Sequence, residues 1–215
     1  MKNTVIESVL KNKIVVIVRG VAKEKLIPLA EAMYAGGIRL LEITYSANKS
    51  VSDEETAENI RALSEHFSGR MFIGAGTVLD EKQVELTKAA GGKFIISPDV
   101  NEAVIKKSVE LGLVSMPGAL TPSEITAANR AGADFVKLFP ITSLGLDYVK
   151  AVRAPLSHVK LIAVGGIHDG NMKEYLGAGV CGFGIGSNII DKKLIEAEDY
   201  AGITALAKKY VEAIK

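Results

Sequence analysis

Phe135-Val136-Lys137-Leu138-Phe139-Pro140 is an apolar run broken by one ammonium and closed by a proline. It is too short for a stable helix, and it does not alternate apolar with polar. It therefore reads as a strand covered on both faces, the kind that builds parallel sheets. Seven runs of the same kind share the chain: Ile14 to Val18, Ile38 to Ile43, Met71 to Ile73, Phe94 to Ile96, Leu113 to Met116, Val159 to Val164 and Cys181 to Ile185. Their starts fall 19 to 33 residues apart, room for one strand and one helix per unit.

Between the runs the apolar spacing turns helical, as in Leu26, Leu29, Ala30, Met33, or Val104, Ile105, Val109, or Ile203, Leu206, Tyr210, Val211, Ile214. Ala35-Gly36-Gly37, Ala90-Gly91-Gly92, Ala131-Gly132 and Ala178-Gly179 mark helix ends, because glycine takes the left-handed conformation that closes a helix. Thr121-Pro122-Ser123-Glu124 reads as a helix start, and Asp169 is a second expected cap. Eight strand-helix units close into a (β/α)8 TIM barrel, an α/β fold, here expected as a single compact domain over residues 1–215. Thr4 to Leu10 forms a short extra helix with Val5, Ile6, Val9 and Leu10 available to cover the barrel bottom. An open doubly wound sheet is the competing architecture, but Val18-Arg19-Gly20-Val21 offers no glycine-rich dinucleotide turn.

Composition narrows the functions. With 48% hydrophobic and 24% charged residues the chain folds around a sizeable core, and 26 Lys+Arg against 25 Asp+Glu leave no basic stripe for a nucleic acid. No apolar stretch is long enough for a membrane helix. One cysteine, Cys181, makes no internal disulfide, and Glu7 stands where a signal peptide needs its apolar run, so a cytoplasmic protein is expected. His66, His158 and His168 lack metal-ligand spacing, and no metal or cofactor motif is present.

In a barrel the chemistry sits at the C-terminal strand ends. Lys137 has no sheet edge along which to reach water, so it is partly buried. It either pairs with a buried carboxylate for structure, or, its charge disfavoured by burial, serves as an amine able to form a Schiff base. Glu42, inside Leu40-Leu41-Glu42-Ile43-Thr44, lies across the barrel and can meet it as an inert ion pair or as a proton shuttle. Arg19 and Thr77, just after strands, are candidate carboxylate binders. Gly165-Gly166 and Gly184-Ile185-Gly186-Ser187-Asn188 follow the last two runs, where barrels hold phosphate on backbone N–H groups; two tight turns are the plainer reading.

From about Ile14 to Asn188 the chain resembles the 2-keto-3-deoxy-6-phosphogluconate (KDPG) / 4-hydroxy-2-oxoglutarate (KHG) aldolase family. The resemblance is carried by Val18-Arg19, Gly36-Gly37-Ile38 through Thr44, Gly74-Ala75-Gly76-Thr77, Ile96-Ser97-Pro98, Met116-Pro117-Gly118, Val136 to Pro140, Gly165-Gly166 and Gly186-Ser187. It implies a class I aldolase with Lys137 as Schiff-base lysine and Glu42 as general acid/base. Arg19 and Thr77 would sit near the pyruvate moiety, Gly165, Gly166, Gly186 and Ser187 around the phosphate, and Pro98 and Phe139 against the substrate. It also implies a small 2-keto acid sugar phosphate as substrate, a homotrimer, and no metal or organic cofactor.

Three positions depart from the family pattern. Thr44-Tyr45-Ser46 replaces Thr-Leu-Arg, Ile141 replaces a small residue, and Ala163-Val164 replaces Pro-Thr, a form associated with the 6-phosphogalactonate branch. Val164 is thus the expected specificity position. A phosphate-binding isomerase barrel would normally carry more carboxylates or a histidine at the strand ends; a silent sugar-phosphate sensor would not need Glu42 and Lys137.

Overall fold

A computed structural model describes residues 1–215. The elements are α1 (Lys2–Asn12), β1 (Ile14–Val18), α2 (Lys23–Ala35), β2 (Leu40–Thr44), α3 (Asp53–His66), β3 (Phe72–Gly76), α4 (Glu81–Ala89), β4 (Phe94–Ile96), α5 (Glu102–Glu110), β5 (Val114–Met116) and β6 (Gly118–Ala119). They continue with α6 (Pro122–Arg130), β7 (Val136–Leu138), α7 (Gly145–Arg153), β8 (Leu161–Val164), α8 (Met172–Gly177), β9 (Gly182–Ile185), α9 (Lys192–Glu196) and α10 (Tyr200–Glu212). The nine strands run in the order β5-β4-β3-β2-β1-β9-β8-β7-β6, every pair parallel.

The eight runs become nine strands because the fifth, Leu113 to Met116, is followed past Pro117, which has no N–H to give a ladder, by a further short strand, β6. β5 pairs with β4 and β6 with β7. The backbone N–H groups of Phe135, Lys137 and Phe139 donate to Ser115 (3.2 Å), Pro117 (2.8 Å) and Ala119 (3.1 Å), so β7 reads across the break and completes the ring. The third run also lengthens, from Met71–Ile73 to a strand ending at Gly76, since glycines add length that hydrophobicity does not report.

Strand parity sorts the apolar side chains into two cores. Ile14, Val16, Leu41, Ile43, Val136 and Leu138 point outward and pack under the helices, against residues such as Leu29, Met33 and Ile60. Val15, Leu40, Phe94, Val114, Phe135 and Ile162 point inward and fill the lower barrel. α1 closes that end: Val5 and Val9 are buried among the inward residues and Ile6 packs at their edge. Leu10, expected to help, is instead exposed, since it lies one helical step around from Val9. Val109 also turns outward from its expected core face.

Each of the four Ala-Gly helix ends carries a glycine at positive φ, Gly37 at 101° and Gly132 at 104° among them. α6 opens on a full capping box, Thr121 and Glu124 each bonding the other's backbone. Asp169 is not a cap: Asn171 precedes α8, and Asp169 pairs at 2.8 Å with Lys209 of α10. No helix is long and apolar enough to cross a membrane.

Candidate active site

The inward parity that places Leu40 in the lower barrel also aims Glu42 inward, one layer higher. Lys137 stands between Val136 and Leu138, both outward, so it too faces the barrel interior. They are 2% and 7% exposed, far below the habit of Glu and Lys. β3 makes room for the carboxylate. A Cβ at Gly76 would overlap Glu42 Oε1, and one at Gly74 would overlap the Phe94 ring. The glycines of Gly74-Ala75-Gly76 therefore serve close packing of interior side chains.

Glu42 Oε2 accepts no hydrogen bond. Loss of water raises its carboxyl to about 7, against the opposing pull of the Lys137 and Arg19 charges. Burial likewise lowers the proton affinity of Lys137, which Glu42 partly restores and Arg19 lowers further. The Lys137 ammonium rests 4.4 Å from the centre of the Phe139 ring, at the exit of its own strand. The pair therefore meets through space, with no hydrogen bond locking carboxylate to amine, and burial favours the neutral form of each group.

The remaining candidates ring this pair. Arg19 follows β1 and Thr77 follows β3, flanking the strand that carries Glu42, and Arg19 donates to Thr77 Oγ1 at 2.9 Å. Thr77 holds the left-handed φ of 56° that places its hydroxyl there, a conformation unfavourable for a β-branched residue. Pro98 lies half-buried past β4, and a Cβ at Gly118 would overlap its carbonyl.

Gly165 (φ 101°) and Gly166 (φ 69°) turn the chain after β8, and Gly186 and Ser187 follow β9. The two loops are tied by Asn188 Nδ2 donating to Ile167 O at 2.8 Å. Arg19, Gly186 and Ser187 share one cavity of about 770 Å³, so the arginine borders the loop after β9.

Three polar residues at these loops escaped sequence reading. A Cβ at Gly165 would sit 2.9 Å from Thr142 Oγ1, so Thr142, just past the Lys137 strand, lies against the glycine turn. Lys192 and Lys193 line the 770 Å³ cavity. Nothing in their local sequence separates them from surface residues; only the fold brings them there.

The three departures have structural partners. Tyr45 is fully buried between helices, its hydroxyl on Gln83 O (3.2 Å) and Thr87 Oγ1 (3.0 Å). Ser46 bonds within its own loop, to Asn48 Oδ1 at 2.7 Å. Ile141 is buried and donates its N–H to Val164 O at 3.1 Å, fixing the end of β8. Val164 is itself buried, with a methyl against Gly184.

Known proteins are consistent with this arrangement. The family described as KDPG and KHG aldolase matches residues 5–206. The KHG/KDPG aldolase of Escherichia coli (strain K12) is 36% identical over 220 aligned positions, covering 100% of both chains. A probable 2-dehydro-3-deoxy-6-phosphogalactonate aldolase of Rhizobium meliloti (strain 1021) is 34% identical over 84% of this chain and 82% of its own. Among solved structures, KDPG aldolase from Legionella pneumophila, with pyruvate captured as a covalent carbinolamine, superposes with a TM-score of 0.84 at 28% identity over 97% of each chain. With the family match spanning nearly the whole barrel, the chain belongs to the KDPG and KHG aldolase family.

Proposed function

We propose that this aldolase cleaves a 2-keto-3-deoxy-6-phospho sugar acid, of gluconate type, to pyruvate and glyceraldehyde 3-phosphate through a Schiff base on Lys137. The observation that carries the reading is the buried Lys137–Glu42 pair at the strand ends, with neither group locked to the other. The Lys137 amine adds to the C2 ketone to give a carbinolamine. Glu42 protonates the departing hydroxyl, which leaves as water, and the imine forms. Glu42 then takes the proton of the C4 hydroxyl; the C3–C4 bond breaks, its electron pair moves into the iminium, and the aldehyde leaves. Protonation of the enamine at C3 and addition of water release pyruvate and the free amine. Arg19 and Thr77 hold the carboxylate end, with Phe139 and Pro98 walling the keto acid. The loops of Gly165, Gly166, Gly186 and Ser187 take the phosphate.

The same machinery accommodates 4-hydroxy-2-oxoglutarate, which yields pyruvate and glyoxylate. A homotrimer in the cytoplasm remains the accompanying expectation.

Incubation with pyruvate and borohydride tests the reading. A mass increase mapped to Lys137 is expected; a label on Lys160 or elsewhere would overturn it.

A specific observation favours a second substrate, the galactonate epimer. Val164 is buried at the end of β8 and offers only methyl groups where a threonine would offer a hydroxyl to the substrate's C4 hydroxyl. A hydroxyl left unpaired there costs about 1–3 kcal/mol.

A further inference from the structure

The turn that leaves β8 is held from outside itself. Val164 O accepts from the Ile141 N–H at 3.1 Å, Gly166 O from Asn171 Nδ2 at 2.9 Å, and Ile167 O from Asn188 Nδ2 at 2.8 Å. The donors of the same turn are not taken: the N–H groups of Gly165, Gly166 and Ile167 have no acceptor within the chain. A trans peptide is planar, with each C=O opposed to the N–H that follows it. Anchoring Val164 O therefore turns the Gly165 N–H away from Ile141, and anchoring Gly166 O turns the Ile167 N–H away from Asn171. Successive backbone donors left free in this way form a concavity suited to an anion.

Gly165 and Gly166, at φ 101° and 69°, allow the turn but do not determine its direction, because glycine permits a peptide to turn over at little steric cost. A reversed peptide after Gly166 would set a carbonyl where a donor is needed. The two asparagine amides prevent that. Asn171 stands at the N-cap position of α8, where asparagine ordinarily bonds first-turn N–H groups, yet its side chain makes no cap bond. Its Oδ1 instead accepts from the His168 N–H at 3.0 Å while its Nδ2 reaches Gly166, so one amide spans the turn. Asn188 follows Ser187 and joins the turn to the loop after β9; its own carbonyl accepts from the hydroxyl of Tyr210, buried in α10, at 2.9 Å.

We propose that Asn171 and Asn188 are positioning residues for the substrate's phosphate: they fix the peptides from Gly165 to Ile167 so that three N–H groups face it, and thereby set the preference for phosphorylated substrates. The role rests on the assignment of the phosphate to these loops and adds the Ile167 N–H to its donors.

The addition direction tests the role, with pyruvate and either D-glyceraldehyde 3-phosphate or D-glyceraldehyde, since pyruvate consumption is the same whichever epimer forms. Asn171→Ala and Asn188→Ala should each lower kcat/KM for the phosphorylated aldehyde about tenfold or more, the worth of one misdirected bond to a charged group, and leave that for glyceraldehyde within about twofold. Inhibition by inorganic phosphate should weaken by a similar factor, while borohydride trapping of pyruvate stays as in wild type. If Asn171→Ala does not fold, Asn188→Ala carries the same test from the other loop. Equal losses with both aldehydes would make the asparagines structural only and overturn the proposal. Trapping on Lys137 with an unchanged aldehyde preference in the variants would overturn the positioning role alone. Equal use of both aldehydes by wild type would overturn the phosphate assignment and the positioning role with it.

Discussion

Two layers of one barrel interior, a few residues apart along the same strands, are built on opposite principles. The lower layer is wholly apolar and sealed by Val5 and Val9 of α1. The upper layer places a carboxyl and an amine out of water with a glycine-faced strand beneath the carboxyl. Ionisable groups held this way oppose folding, since desolvation is recovered only through close pairing or neutralisation. The lower layer contributes the offsetting burial, at roughly 25 cal/mol per Å² of apolar surface. The comparison separates a part that makes the barrel stable from a part that makes its groups reactive.

Substitutions in the two layers should therefore fail differently. The largest effect is expected from Lys137→Ala, which removes the nucleophile: turnover should fall to background while circular dichroism and melting temperature show an intact, even stabilised, fold. Retained aldol cleavage would place the chemistry on another lysine.

Glu42→Gln should slow turnover by roughly 10²–10⁴-fold, the usual worth of general acid–base catalysis. Stability supplies a second readout. The folded carboxyl titrates near 7, above its ordinary value of 4.5, so the folded state binds the proton more tightly than the unfolded one. Its contribution to stability is complete below pH 4.5 and declines as pH rises toward 7. Denaturant unfolding across that window should show the decline in wild type and lose that component in Glu42→Gln.

Gly76→Ala should displace Glu42 without touching its chemistry, because the added Cβ overlaps Oε1. A displacement near 1 Å can cost about 10²-fold in rate. Near-normal kcat in a folded Gly76→Ala protein would show that the carboxylate need not sit where it does.

Val164→Thr should raise kcat/KM for the gluconate epimer relative to the galactonate epimer by about 5- to 150-fold, the rate equivalent of one restored hydrogen bond. An unchanged ratio would move epimer selection away from β8.

In the lower layer, Val9→Ala should cost about 2 kcal/mol of unfolding free energy through lost burial and a small cavity. Below the melting transition kcat should not change. A fall in kcat there would mean that the layers are coupled.

Much of this molecule is written locally. A strand buried on both faces must be continuously apolar, so the strand positions and the parallel sheet follow from the runs. A polar group inside such a run has few reasons to be there, which is why Lys137 and Glu42 stand out in the bare sequence. Capping at Thr121 and the positive-φ glycines are legible for the same reason, since their chemistry acts over a few residues. Other features depend on which distant segments meet. The split at Pro117, the contact of Gly76 with Glu42, the Arg19–Thr77 bond and the approach of Thr142 to the glycine turn join groups that share no local pattern. The same holds for the absence of a hydrogen bond at Glu42 and for Leu10 turning to solvent. Hydrophobic periodicity reports which side of an element is covered, whereas distance and solvation between side chains exist only once the ring has closed.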